Sequence, residues 1–187
     1  MRVLFARRSI TIALIFAVLG IGVFVFVSLY KGVPKTPREP IESEIVMVEH
    51  KVIGKSVEGR EIEAYTWGKG ETRLLFVGGI HGGYEWNTVL LAYQFMDYLE
   101  ENPHVIPENV TVMVIPSANP DGVYRVIGKE GRFTILDVST SEQVAETGRF
   151  NARGVDLNRN FDCKWQSESM WREKVVSAGA SPFSEPE

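Results

Sequence analysis

Leu74-Leu75-Phe76-Val77-Gly78-Gly79-Ile80-His81-Gly82-Gly83-Tyr84-Glu85-Trp86-Asn87 is the stretch around which the chain is organised. Four consecutive apolar residues bounded by glycines predict a fully buried strand. The glycine-flanked loop behind it carries one His and one Glu. Thr88 to Glu101 then reads as a helix, because Val89, Ala92, Phe95, Met96 and Leu99 recur on one stripe. In an open α/β sheet, ligands bind beyond the carboxyl ends of the strands, which is where His81 and Glu85 fall. A neutral imidazole and a carboxylate are ligands of hydrolytic zinc, which normally has three protein ligands and an open position for water. Glycines on both sides of His81 remove Cβ atoms from the path of backbone and substrate. Taken alone, His-x-x-x-Glu fits equally a loop histidine followed by a helix N-terminal Glu that complements the macrodipole.

The neighbouring segments place this loop in a sheet. Ile45 to Ile53 and Glu61 to Trp67 have strand character, with Gly54 to Arg60 between them as a hairpin loop. Val110 to Ile115 is a further strand, ended by Pro116. Strand, helix, strand implies a parallel crossover and an α/β fold: a mixed, mostly parallel sheet with helices on both faces. Asn119-Pro120-Asp121-Gly122 reads as a turn at a strand's carboxyl end. His50 reads as a strand residue and His104 as a solvated loop residue, so neither supplies a third zinc ligand. Between Arg149 and Asn160 stand three arginines and three asparagines, broken by Gly154. Such a segment is either a solvated basic loop or a set of donors for a carboxylate, which the planar guanidinium fork matches well.

Composition is that of a globular chain, 44% hydrophobic and 24% charged, with a net charge of -4 that excludes nucleic acid as an expected partner. The length of 187 residues suits one domain. Arg2, Arg7 and Arg8 precede Ile10 to Tyr30, 21 residues without a charge, close to the roughly 20 that span a bilayer as helix. A proline-rich stretch follows. The expected organisation is therefore a basic cytoplasmic segment (1–8), a transmembrane anchor (9–30), a linker (31–43) and a domain from 44 to 187. The arginine bias puts the amino terminus in the cytoplasm and the domain outside, in a single-pass membrane protein. The alternative is a signal peptide and a secreted product, although Ser28-Leu29-Tyr30-Lys31 offers no small-x-small cleavage site. The lone Cys163 is expected to be a small buried residue rather than a nucleophile.

Gly-Gly-Ile-His…Glu-Trp, then Asn-Pro-Asp-Gly, then Gly-Val-Asp-Leu-Asn-Arg-Asn-Phe, in that order, resemble the zinc carboxypeptidases related to carboxypeptidase A. The resemblance runs from about Ile45 to the last residue. It implies that His81 and Glu85 are the first two zinc ligands. Asn158 and Arg159 would grip the terminal carboxylate of a peptide substrate. Arg149 would polarise the scissile carbonyl, with Arg153 the second candidate. Asp156 would orient the zinc-bound histidine. The implied cofactor is one zinc ion and the implied reaction is hydrolysis of a C-terminal peptide bond.

Two features depart from the family pattern. The usual ligand spacing is His-x-x-Glu, whereas Gly82-Gly83-Tyr84 separates the ligands here by one residue more. Two glycines are expected to make the loop compliant enough for both to reach a metal, and Glu44 and Glu101 are poor substitutes. The family's third ligand and general base lie downstream of the Asn-Arg pair, yet no His follows His104. Ser181 to Glu187 resembles the segment before the helix that precedes the third ligand, so the resemblance covers the amino-terminal part of the domain. Glu185 and Glu187 are expected to open that helix. Weak or no zinc binding, and no hydrolysis, are expected of these 187 residues alone. Two other readings fit the same residues. One is a zinc amidase on peptidoglycan peptides, and the other a non-catalytic, membrane-tethered binder of peptide C-terminal carboxylates.

Overall fold

The computed structural model describes residues 48–187. The expected anchor, its basic flank and the linker lie outside them. No helix among the described residues is long and apolar enough to cross a membrane.

Strands β1 (Glu49–Lys55) and β2 (Glu61–Gly68) form the expected hairpin, antiparallel and with an irregular register between Val52 and Gly54. Strand β3 (Thr72–Val77) leads through the histidine loop into helix α1 (Trp86–Glu101), which returns the chain to β4 (Val110–Ile115). The sheet order is β1-β2-β4-β3. The crossover from β3 to β4 is parallel as expected, and β2 pairs antiparallel with β4, so the sheet is mixed. Within this four-stranded sheet only the β3–β4 pairing is parallel, because the β1–β2 hairpin joins β4 from the opposite direction.

One face of the sheet carries Tyr65, Trp67, Val112, Val114 and Phe76, and α1 lies on it through Val89, Ala92, Tyr93, Met96 and Leu99. The helical stripe is thus the predicted one, extended by Tyr93, with Phe95 packed at its margin against Phe76. Complete burial of a side chain such as Met96 or Leu99 contributes about 1.5–3 kcal/mol, which is enough for five of them to fix the helix on the sheet. Helices on both faces were expected; among the described residues α1 covers one face only, and on the other Ile62 and Ala64 are buried while Leu75, at the sheet edge, is 62% exposed. The predicted burial of Leu74 to Val77 is therefore corrected. The four residues do form a strand, but it is a sheet edge with a neighbour on one side only. An unbroken apolar run specifies a strand without specifying its place in the sheet.

Asn119-Pro120-Asp121-Gly122 also differs from expectation. It is not a free turn but the start of helix α2 (Pro120–Ile127). Asn119 caps it, accepting from the Gly122 N–H at 2.8 Å, and Pro120 occupies the first turn, where its missing N–H costs nothing. The residue types that favour turns are the same ones that begin helices. Beyond α2 come a short helix α3 (Glu142–Thr147) and a small antiparallel hairpin, β5 (Glu168–Trp171) and β6 (Lys174–Ser177). Cys163, expected to be buried, is exposed. The helix that Glu185 and Glu187 are expected to open lies outside the described residues; their carboxylates accept from the Asn151 side-chain amide at 2.8 and 3.1 Å.

Candidate functional site

The loop after β3 is stitched to the loop after β4. The Gly78 N–H donates to the Ile115 carbonyl at 2.8 Å, and the Ala118 and Asn119 N–H groups return to the Gly78 and Gly79 carbonyls at 2.9 and 3.1 Å. From this base the chain rises into a 3-10 turn, Gly82–Glu85, that leads directly into α1. Thr88 fixes its far end. Its hydroxyl accepts from the Gly79 N–H at 2.9 Å and donates to the Glu85 carbonyl at 2.8 Å.

The glycines do not act as expected. Gly82 and Gly83 are buried against α2 rather than open to substrate. A Cβ on Gly82 would stand 2.5 Å from the Gly148 carbonyl oxygen and 2.7 Å from Gly122 Cα, and the φ of Gly82 is +46°. A Cβ on Gly83 would meet the Val126 side chain at 2.5 Å. The loop is therefore packed backbone to backbone, and it is the packing, not compliance, that sets where His81 and Glu85 point.

His81 is buried, 6% exposed, with both ring nitrogens on carboxylates. Its Nδ1 lies 2.8 Å from Glu85 Oε1 and its Nε2 lies 3.1 Å from Asp156 Oδ1. Burial by itself would lower the imidazole pKa, but the hydrogen bonds to Asp156 and Glu85 outweigh it and the pKa is raised. Asp156 is fully buried and collects donors from three segments. Oδ1 takes His81 Nε2 and, at 3.2 Å, the Asn158 N–H; Oδ2 takes Arg149 Nε and Nη2 at 3.2 and 2.8 Å. Burial would raise this carboxyl's pKa; the bonds from His81 and Arg149 and the guanidinium charge hold it below the usual carboxylate range.

Local sequence explains how Asp156 comes to be there. The Asn151 side-chain carbonyl accepts from the N–H groups of Arg153 and Val155, each at 3.0 Å, and so bends the chain back after Arg149. The Asp156 N–H then donates to the Ser177 carbonyl of β6 at 2.9 Å. Asp156 next caps the short 3-10 turn Leu157–Arg159.

Of the residues singled out in the sequence, the fold brings His81, Glu85, Asp156 and Arg149 into one contiguous cluster, with Asn158 attached through its backbone. Arg153 stands apart: it is exposed and reaches Glu185 at 3.4 Å. Arg159 is half-buried and donates only to the neighbouring Asn158 carbonyl at 3.4 Å, with no carboxylate partner among the described residues. It lines, with Asn158, Lys164 and Trp165, an open cavity of ≈ 470 Å³. His50 bonds Glu63 on the exposed side of the hairpin, and His104 is exposed, so neither enters the cluster. Glu101 ends α1 in solvent, and Glu44 lies outside the described residues.

The donor set suits zinc in kind. An imidazole nitrogen faces a carboxylate at 2.8 Å, and the other nitrogen is held by a buried carboxylate, the device that fixes tautomer and ring orientation in metal-bound histidines. It is half of a site in number: among the described residues no group of three His, Cys, Asp or Glu side chains gathers to hold a metal ion. Sequence reading missed Trp171 and Tyr84. The Arg149 guanidinium carbon lies 4.7 Å from the Trp171 ring centroid and 5.6 Å from that of Tyr84. The available signal was the β-branched pair Val175-Val176 facing Ser169-Met170, which leaves Trp171 opposite Lys174 at the tip; it is hidden because Arg172-Glu173 is not a recognisable hairpin turn.

The zinc carboxypeptidase family model matches residues 42–187. Carboxypeptidase Z of Homo sapiens is 33% identical over 122 residues, covering 58% of this chain and 17% of that protein. A metallocarboxypeptidase A-like protein of Trichophyton verrucosum is 31% identical over 146 residues, covering 72% of this chain and 32% of that protein. Among solved structures, the carboxypeptidase A of Helicoverpa armigera superposes with a TM-score of 0.52 at 24% identity, over 76% of this chain and 35% of that one. The chain thus spans about a third or less of the length of each. Matched over the whole segment that holds His81, Glu85, Arg149 and Asp156, the chain belongs to the zinc carboxypeptidase family.

Proposed function

We propose that the cluster is the metal-facing half of a zinc carboxypeptidase active site, and that the protein hydrolyses the C-terminal peptide bond of a peptide bearing a free carboxylate. The observation that carries this reading is His81, held between Glu85 on Nδ1 and Asp156 on Nε2, with Arg149 on the second oxygen of Asp156. His81 Nδ1 and Glu85 would hold the zinc, joined by a third donor from outside the described residues. Zinc supplies Lewis acidity and an activated water at such a site.

The chain's own residues supply position and charge. Asp156 retains the Nε2 proton of His81, which directs the Nδ1 lone pair at the metal. Arg149 uses Nε and Nη2 on Asp156, leaving Nη1 to donate to a carbonyl oxygen as negative charge develops on it. A preorganised donor of this kind contributes about 3–4 kcal/mol to the transition state. Arg159, without a carboxylate partner among the described residues and at the rim of an open cavity, takes the terminal carboxylate in its planar fork, with Asn158 beside it. Restriction to the chain end follows from that grip.

The test compares a blocked dipeptide with a free C-terminus against the same dipeptide amidated, using zinc-loaded protein from its native source. Hydrolysis of the free acid alone, abolished by a chelator and by His81→Ala, is expected. Equal turnover of acid and amide would remove the carboxypeptidase reading. Carboxylate binding that ignores zinc but is lost in Arg159→Ala would put the non-catalytic binder in its place.

A further inference from the structure

We propose that Trp171 is a positioning residue: from the tip of the β5–β6 hairpin, its indole and the Tyr84 ring hold the Arg149 guanidinium at the metal loop. The functional weight of this rests on Arg149 as the carbonyl-polarising group, while the geometry stands by itself.

Asp156 restrains Arg149 from one side only, and both of its bonds end on a single oxygen. A planar guanidinium bound in that way can still tilt about the oxygen. The indole supplies the second restraint, 4.7 Å from the guanidinium carbon, where ring quadrupole and cation attract. Trp171 is in turn fixed by two ring contacts near the perpendicular. Tyr84 meets it at 86° with centroids 5.4 Å apart, and Phe150 at 83° and 5.9 Å.

The hairpin tip is built against local preference. Arg172 has a φ of +52°, a conformation that costs a residue with a Cβ about 1–2 kcal/mol and that a glycine would take freely. Its side chain offsets that cost through contacts far away in sequence. Nη1 donates to Glu146 of α3 at 2.6 Å, and Nη2 donates to the Tyr84 hydroxyl at 3.2 Å. Lys174 adds a bond to Glu146 at 2.9 Å. An outlier sustained from two directions marks a place that the surrounding structure specifies.

Tyr84 gives the arrangement a meaning at the level of sequence. It is one of the three residues that lengthen the His81-to-Glu85 spacing beyond His-x-x-Glu, and both its ring and its hydroxyl are engaged by the hairpin tip. The longer loop and the hairpin therefore form one unit. Tyr84 of the longer loop reaches out to the hairpin, and Trp171 reaches back to the arginine.

The experiment is heteronuclear NMR on the full chain, following the side-chain Nε–Hε signal of Arg149, assigned by its disappearance in Arg149→Lys. In the parent protein the signal is expected to be displaced by the ring current of Trp171. Trp171→Leu should return it to the position of exposed arginines, and Trp171→Phe should restore part of the displacement. Tyr84→Phe, which keeps the ring and removes the Arg172 bond, should leave it in place. Backbone amides of α1 report whether each variant is folded, and Trp171→Phe with Trp171→Tyr provide the graded series if Trp171→Leu is not. An Arg149 signal at the same position whatever residue stands at 171 would overturn the proposal. The measurement needs neither zinc nor turnover, so absence of hydrolysis would remove the carboxypeptidase reading and leave this one standing, and the converse also holds.

Discussion

The molecule contains two aspartates that are fully buried and paired with arginine, and they do different things. Asp121 takes the Ser56 hydroxyl at 2.6 Å, the Glu58 N–H at 3.0 Å and Arg60 Nη1 at 2.7 Å. All three donors come from the β1–β2 loop, and the aromatic face under Arg60, Tyr124 at 4.0 Å, lies on the same helix as Asp121. That pair is a staple between one loop and one helix. Asp156 takes its donors from the histidine loop, the Arg149 segment and its own 3-10 turn. One donor is an imidazole whose other nitrogen faces Glu85, and one is an arginine with a nitrogen to spare. Burial and an arginine are common to both aspartates. What separates the two here is the imidazole: Asp156 holds a histidine whose other nitrogen faces a second carboxylate, and Asp121 holds none.

The sharpest way to break that contrast is to remove each carboxylate. Removing one partner of a buried ion pair typically costs about 3–5 kcal/mol, so Asp121→Ala and Asp156→Ala are both expected to lower stability by that order in urea unfolding. Only Asp156→Ala should also weaken zinc binding, by about 10–100-fold, since it alone orients a ligand. Zinc affinity of the complete protein falling equally in the two variants would erase the distinction.

A smaller effect tests whether the loop holding His81 is set by packing. Gly82→Ala puts a Cβ 2.5 Å from the Gly148 carbonyl oxygen, whereas a Cβ on Gly154 meets nothing within 4 Å although both positions have positive φ. Overpacking costs about 1–3 kcal/mol beyond the conformational cost that the two share. Thermal unfolding should therefore separate Gly82→Ala from Gly154→Ala by that margin. Equal midpoints would show a loop free to move, as its two glycines suggest when read in isolation.

The same contrast explains what could be read from the chain. His81, Glu85, Arg149 and Asp156 were legible through the order of three motifs that together resemble the zinc carboxypeptidases, although each motif alone is ordinary. The Asp121 staple was not, because its partner Arg60 is 61 residues away and both lie in segments with ordinary turn composition. Strand β3 was legible as a strand and misplaced as a buried one, since Leu74-Leu75-Phe76-Val77 looks the same at an edge and in a centre. The Asn119-Pro120 pair was assigned to a turn because helix caps and turns use the same residues for the same hydrogen bonds. Trp171 stayed hidden for a related reason, as Arg172 occupies a turn position that normally announces itself with glycine.

Arg149 and Arg153 extend the comparison to residues four apart. Arg149→Ala leaves the buried Asp156 with His81 Nε2 and the Asn158 N–H as its remaining donors, while Arg153 has an exposed side chain and one contact at 3.4 Å to Glu185. Exposed pairs contribute about 0–1 kcal/mol, so Arg153→Ala should shift the urea midpoint little and leave hydrolysis by the complete protein unchanged. Loss of activity in Arg153→Ala with Arg149→Ala still active would reverse the assignment of the polarising arginine.

The smallest expected effect concerns the ties behind the hairpin. The hydrogen bond from Lys174 holds the Glu146 carboxyl below its usual pKa, with the charges of Lys174 and Arg172 acting in the same sense. A carboxyl with a depressed pKa in the folded state stabilises that state above its unfolded pKa, and the contribution is lost as the pH falls through the folded value. Acidification from pH 7 through the carboxylate range should therefore loosen the hairpin from α3, seen as lower amide protection factors in β5 and β6 once the intrinsic exchange rate at each pH is divided out. The α1 amides, whose protection comes from apolar burial, should lag behind. In Glu146→Gln the hairpin should exchange faster already at pH 7 and respond less to acid. Equal acid sensitivity in the two proteins would mean that Trp171 and its ring contacts, not the ion pairs, hold the hairpin tip in place.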